Sequence, residues 1–291
     1  SCILQLIFFQ KNITLVDGLK KLINENIRRD FKYNKIKYYA SGGSVSFSPN
    51  ECIDDAKKSL QNGFNGFKMR CGYQDFDTDI KRVKSVKAYI DNQKIIDKDF
   101  YLMVDFIQGT LKSNYFEKKI TNYFDKFRDL KVLWLEEPLD PDNYELYKNL
   151  PKNIISKSCL GESFTSFNEY IPFSNLINRF QIDVTHLGGF LESIKVLNYF
   201  SRYSENTKFT SHVWGSKLSL LSNLALCRAT SSIEWFEIPL LEFEINHHLF
   251  KRKEFDPKII SNEEIDMLIS ELNLEKEKKY EFKPGSGYRI R

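Results

Sequence analysis

Three acidic side chains in this 291-residue chain each close a short apolar run: Leu102-Met103-Val104-Asp105, Leu133-Trp134-Leu135-Glu136 and Leu160-Gly161-Glu162. Apolar runs of that length read as strands, so each carboxylate is delivered where a strand stops. Acids gathered in one place repel unless a cation sits among them, because unpaired buried charge is expensive. No Cys or His stands at these three ends, and an all-oxygen ligand set with room for water and substrate oxygens suits Mg²⁺ better than a softer metal. Salt bridging to Lys68 and Arg70 is the competing arrangement, but two cations cannot fully neutralise three acids.

Other chemistry-bearing residues also fall at strand ends. Lys68 and Arg70 alternate with Phe67, Met69 and Cys71, so both cations share one face of a strand. Asp183, His212 and Glu237 close three further runs. A carboxylate on one imidazole nitrogen fixes the tautomer and raises the basicity of the other nitrogen, which makes His212 a candidate general base beside Asp183. Glu136 is followed by Glu137 and Pro138. Proline has no N–H to extend a ladder, so this strand ends in acid.

The elements that must position these groups follow from periodicity. Strands are expected near 36–40, 66–71, 101–106, 132–137, 158–162, 180–184, 209–213 and 233–238, separated by helix-like spacing such as Ile80, Val83, Val86 and Ile90, or Ile194, Leu197, Tyr199 and Phe200. Eight strand and helix steps in about 200 residues fit a TIM-type (β/α)₈ barrel over 36–240, where active sites form at the C-terminal strand ends. A doubly wound sheet competes, but neither a Gly-x-Gly-x-x-Gly turn nor a Walker-type loop occurs. Residues 1–35 read as a segment leading into the barrel. Residues 241–291 read as a wrap-around tail carrying a charged run, Glu275 to Lys279, and a turn at Gly285. The adjacent His247 and His248 in that tail read as a solvated loop.

Composition narrows the function class. The chain is 42% apolar, with 43 basic and 39 acidic residues giving a net charge of +4, too weak and too mixed for a nucleic-acid or membrane surface. A small-molecule partner is expected, with room for a homo-oligomer. Cys2, Cys52, Cys71, Cys159 and Cys227 are odd in number and widely spaced, which argues against a disulfide framework or zinc site and for a cytoplasmic setting. The apolar start, Ser1 to Phe9, lacks a basic leader and is too short to span a bilayer. A first residue other than Met suggests a fragment or a processed chain.

The ordered set Phe67-Lys68-Met69-Arg70-Cys71-Gly72, Leu102 to Gly109, Trp134 to Leu139, Leu160 to Ser163, Gln181 to Gly189 and Ser211 to Ser216 resembles the enolase superfamily, within it the mandelate racemase/muconate lactonizing enzyme group. The resemblance implies the (β/α)₇β-like barrel of that superfamily, with Asp105, Glu136 and Glu162 as magnesium ligands and Asp183 with His212 as a catalytic dyad. It also implies Glu137 as a support and Glu237 as an acid bonding the substrate carboxylate. Gln108, His186 and Trp214 fall at substrate-binding positions. The chemistry implied is abstraction of the proton α to a carboxylate, made feasible by Mg²⁺ and nearby cations.

This sequence departs from the family pattern in three places. Arg70 stands where the second Lys of a Lys-x-Lys motif is usual, and guanidinium is a poor base and a good oxyanion partner. Ile107 replaces an Asn. The α+β capping domain that precedes the barrel in the family has no counterpart in residues 1–35. The expected reaction is dehydration of a sugar acid by a Mg²⁺-dependent lyase. Racemase, epimerase or lactone cycloisomerase chemistry, and a catalytically impaired scaffold, remain open alternatives.

Overall fold

In the computed structural model the eight apolar runs pair in parallel, each with its sequence neighbour, and the first closes on the last to complete a barrel. Residues 2–23, 36–72, 75–93, 99–112, 126–127, 130–204, 206–241 and 256–270 are described. His247, His248, the Glu275 to Lys279 run and Gly285 lie outside them. The strands are β1 (Lys37–Gly42), β2 (Gly66–Arg70), β3 (Tyr101–Asp105), β4 (Leu135–Glu136), β5 (Ser158–Leu160), β6 (Arg179–Ile182), β7 (Lys208–Ser211) and β8 (Ile233–Pro239).

Register aligns the site. Arg70 pairs with Asp105, and Asp105 with Glu136. Of the strands, β4 and β5 fall furthest short of the sequence pattern. Glu137 takes a left-handed φ of 37° and Gly161 one of 126°, so the chain turns out of the ladder before 137 in β4 and before 162 in β5. A side chain at Gly161 would put its Cβ 2.4 Å from the Gln181 carbonyl oxygen, so only glycine fits that turn.

Alternation sorts the side chains. Phe67, Met69, Leu102, Val104, Leu160, Phe180, Ile182 and Phe209 join the main core. Tyr39, Met103, Trp134, Cys159 and Trp235 form a separate buried cluster that plugs the barrel interior. Its rings meet edge to face, with Tyr39 and Trp134 centroids 5.4 Å apart and Trp134 and Trp235 5.9 Å apart, the arrangement favoured by aromatic quadrupoles.

The helices bury the expected stripes. Phe76–Asn92 buries Ile80, Val83, Val86 and Ile90, and Asp75 caps it by accepting from the N–H groups of Asp77 and Thr78. Phe190–Tyr203 buries Ile194, Leu197 and Phe200, while Tyr199 is partly buried. Each such aliphatic or aromatic side chain contributes roughly 1.5–3 kcal/mol on burial.

The described segments on either side of the barrel meet. Helix Leu15–Leu22 buries Leu15, Val16 and Leu19 and packs with Lys217–Ala229 and Asn262–Ser270. The Asp266 carboxylate accepts the Leu15 N–H at 3.0 Å, tying the segment before the barrel to the one after it. The preceding helix, Cys2–Gln10, buries Phe8 and leaves Ile3, Leu6 and Phe9 exposed. No described helix is long and apolar enough to cross a membrane.

Candidate functional site

The three strand-end acids converge. Ligand atoms of Asp105, Glu136 and Glu162 all lie within 4.8 Å of one another. Asp105 and Glu136 are buried, and the Glu162 side chain is 12% exposed, opening the group to the barrel mouth. Arg70 Nε stands 3.8 Å from Asp105 Oδ2. Burial and the neighbouring Glu136 charge push Asp105 up to about 6. Burial, then the charges of Asp105, Glu137 and Glu136, push Glu162 well above the usual carboxylate range. Glu136 goes the other way, to about 2: burial opposes its ionisation, but the Lys68 charge and hydrogen bonds from Glu162 and Lys68 outweigh it.

Three carboxylates so placed form a cradle that could hold a cation. Hard oxygen donors, without thiolate or imidazole among them, suit a divalent ion such as Mg²⁺. Asp105 and Glu162 resist ionisation through burial and the neighbouring carboxylate charges, while Lys68 Nζ bonds Glu136 Oε1 at 2.5 Å and lies 3.0 Å from Glu237 Oε1.

His212 joins the cradle to Asp183. Its Nδ1 is 2.9 Å from Asp183 Oδ2 and its Nε2 is 3.3 Å from Glu162 Oε2. Asp183 Oδ1 accepts from the Thr185 N–H at 2.8 Å, the Thr185 hydroxyl at 2.6 Å and Asn223 Nδ2 at 3.0 Å. Burial opposes ionisation of Asp183, but the His212 hydrogen bond and charge, with those from Thr185 and Asn223, hold it at about 2. Burial alone would lower His212. The Asp183 hydrogen bond and the charges of Glu237 and Asp183 raise it above its ordinary value.

Glu137 supports the cradle from outside it. Its carboxylate accepts from Ser163 Oγ at 2.6 Å, the Ser163 N–H at 3.1 Å and the Gly161 N–H at 3.4 Å, gripping the turn that carries Glu162.

The remaining expected site residues divide by depth. Lys68 and Glu237 are each 1% exposed and lie in the layer beneath the mouth. Glu237 Oε2 accepts from the Tyr39 hydroxyl at 3.2 Å and the Val213 N–H at 3.1 Å, which fits a floor residue better than one bonding a substrate carboxylate. Arg70, 18% exposed, stacks on Trp214 at 4.5 Å and reaches the Gly42 carbonyl and Ser41 Oγ. Gln108 is exposed in the short helix after β3, Ile107–Lys112, and His186 is exposed in the turn after β6. Neither side chain bonds the cradle among the described residues.

Asn223 and Gln181 escaped the sequence reading. Asn223 is a lone amide on a buried helix face, where its Oδ1 also accepts the Val184 N–H at 2.8 Å. Gln181 lies two residues before Asp183 and shares its inward face by strand alternation. A polar residue on an otherwise apolar face was the available signal in both cases.

The sequence profile described as Enolase C-terminal domain-like matches residues 51–259, well over half of the chain. An L-talarate/galactarate dehydratase of Salmonella typhimurium is 24% identical over 168 residues, 57% of this chain and 39% of the relative. An arabinonate dehydratase of Saccharolobus solfataricus is 23% identical over 221 residues, 75% of this chain and 56% of the relative. The chain thus spans about half the length of these curated relatives, or less. The crystal structure of the Salmonella typhimurium dehydratase liganded with Mg and L-lyxarohydroxamate superposes with a TM-score of 0.61 at 21% identity, covering 81% of this chain and 59% of that one. At that identity the likeness speaks for the barrel fold.

Proposed function

The chain belongs to the Enolase C-terminal domain-like family, and on that premise we propose that it abstracts the proton α to the carboxylate of a sugar acid and dehydrates it. Asp105, Glu136 and Glu162 would hold Mg²⁺. The observation that carries this reading is the position of His212 Nε2, 3.3 Å from one acid of the cradle: an imidazole braced by Asp183 adjoins the residues that would hold the metal. When bound, the cation would supply electrostatic stabilisation of the negative charge that develops on the substrate carboxylate.

The protein's own groups do the rest. His212 accepts the α-proton at Nε2 while Nδ1–H stays on Asp183, which stabilises the imidazolium that forms. That imidazolium then protonates the departing β-hydroxyl. One C–H and one C–O bond break, water leaves, and the enol product becomes a 2-keto-3-deoxy acid. Arg70 at the mouth is permanently charged and answers developing oxyanion charge. Lys68 stays protonated: burial opposes its charge, but Glu136 and Glu237 hold its ammonium well above the ordinary lysine range.

These two cations favour dehydration over racemisation. A racemase needs a second base on the opposite face, and neither an arginine nor a lysine ion-paired with two acids can take a proton there. The two dehydratase relatives point the same way.

Substitution tests the role of His212. His212→Asn is expected to lower turnover of a sugar acid by about 10²–10⁴-fold while leaving Mg²⁺ affinity near that of wild type. Undiminished turnover would remove His212 as the base.

A further inference from the structure

The barrel interior contains a polar layer built from the even-numbered strands. In an eight-stranded barrel of shear 8 the ladder descends about one residue per strand, so crossing two strands and stepping up two residues returns to the same level. From Glu136 the ladder runs to Cys159 and Arg179, which puts Gln181 level with Glu136. From Gln181 it runs through Thr210 and Trp235 to the level of Glu237. From Glu237 it runs through Tyr39 and Gly66 to the level of Lys68. Lys68, Glu136, Gln181 and Glu237 therefore form one layer, in which Glu136 is shared with the carboxylate cradle while Asp105 and Glu162 lie above it.

Three of the four are tied together. Lys68 bonds Glu136 and lies beside Glu237, and Trp134 Nε1 donates to Glu136 Oε2 at 3.3 Å. Gln181 is the exception. It is 0% exposed, yet neither its amide oxygen nor its amide nitrogen has a hydrogen-bond partner among the described residues. Glu237 Oε1 has the Lys68 ammonium at 3.0 Å as its ion-pair partner and no further donor among the described residues. An ammonium has three N–H donors. After Glu136 and Glu237, the next acid around Lys68 is Asp105 at 4.0 Å.

A buried amide with both ends unsatisfied would cost about 1–3 kcal/mol for each group, and native proteins relieve such groups with internal water. The flanking inward positions are small on this side of the barrel. They are Cys159 on β5 and Thr210 on β7, and the Thr210 hydroxyl is already committed to the Trp235 carbonyl.

We propose that Gln181 anchors an internal water site under the cradle, in which ordered water links the Gln181 amide to Glu237 Oε1 and the Lys68 ammonium. Water is the ligand chemistry that fits, since it gives to Glu237 and to the Gln181 oxygen and receives from the Gln181 NH₂ and Lys68. Two to four polar partners is the usual complement of a buried water. The cradle then rests on a hydrated polar floor, with the aromatic plug below it, and Gln181 is the residue that keeps water there.

High-resolution electron density of the wild-type chain, together with the Tm of Gln181→Met, tests this. Methionine keeps the length of the side chain and removes both polar atoms. The expected result is a water peak within hydrogen-bond distance of the Gln181 amide and of Glu237 or Lys68, and a Tm lowered in the variant by about 2–4 °C. Absence of such a peak overturns the proposal. So does a variant Tm equal to or above that of wild type, because replacing a truly unpartnered amide by an apolar isostere is neutral or stabilising. Should Gln181→Met fail to fold, the wild-type density decides alone. Neither measurement reads turnover, so failure here leaves the proposed dehydration standing, and the converse holds too.

Discussion

Glu136 and Glu137 are consecutive in the chain and turn to opposite sides of β4. Glu136 enters the barrel and meets Lys68 Nζ at 2.5 Å, while Glu137 turns outward to take the Ser163 hydroxyl at 2.6 Å. The left-handed backbone at Glu137 lets one acid serve the cradle and its neighbour hold the loop of another cradle acid.

That division predicts the phenotype of Glu137→Ala. Ser163 and Gly161 lose their acceptor, and the orphaned buried Gly161 N–H alone costs about 1–3 kcal/mol. Thermal melts should show a Tm lower by several degrees, and Mg²⁺ titration a weaker site, because Glu162 is no longer held. An unchanged Mg²⁺ affinity in a destabilised variant would confine Glu137 to a purely structural role.

Metal affinity should depend on pH. Asp105 is pushed up to about 6 and Glu162 is also raised, so a cation entering the cradle must displace protons. Affinity is expected to rise as pH rises through about 6, with proton release seen calorimetrically as a dependence of the binding heat on buffer ionisation enthalpy. A pH-independent affinity would contradict the cradle.

The same shifts set the stability of the metal-free protein. For Asp105 the folded form binds protons more tightly than the unfolded form, so its contribution is present below the ordinary value of 3.8 and lost as pH rises through about 6. Asp183 has the opposite sign. Its contribution is present above 3.8 and lost as pH falls towards about 2. Denaturant midpoints across pH should therefore fall between about pH 4 and 6 by a component that Asp105→Asn removes, and should drop in acid by a component that Asp183→Asn removes.

Ile107 lies just past the first cradle acid with φ at 48°, while its N–H bonds Asp105 Oδ1 at 2.7 Å. A β-branched residue is a poor occupant of the left-handed region, and asparagine tolerates it. Ile107→Asn should stabilise the fold by roughly 1 kcal/mol, raising Tm by about 2–4 °C in a thermal melt. A lowered Tm would mean that the partly buried side chain contributes more than the strain costs.

Much of this site was legible in the chain itself. Asp105, Glu136, Glu162, Asp183 and His212 stand at the ends of apolar runs, and strand alternation aims such residues into one mouth. Depth was not legible. Lys68 and Glu237 look like mouth residues in a motif, but strand register sets them in the buried layer of Glu136. Asn223 reaches Asp183 from a helix 40 positions away, a contact that no local pattern encodes. The end of β4 was hidden for a related reason: a glutamate such as Glu137 carries no signal that its backbone turns left-handed.

The central claim is metal-dependent α-proton abstraction by His212. Its most direct measurement is NMR of the chain incubated in D₂O with Mg²⁺ and a panel of aldonic and aldaric acids. A 2-keto-3-deoxy product from at least one acid is expected, abolished by chelation and by His212→Asn. Recovered substrate carrying deuterium at its α-carbon would indicate racemase-like exchange and contradict dehydration, and silence across the panel together with no Mg²⁺ binding would contradict the account as a whole.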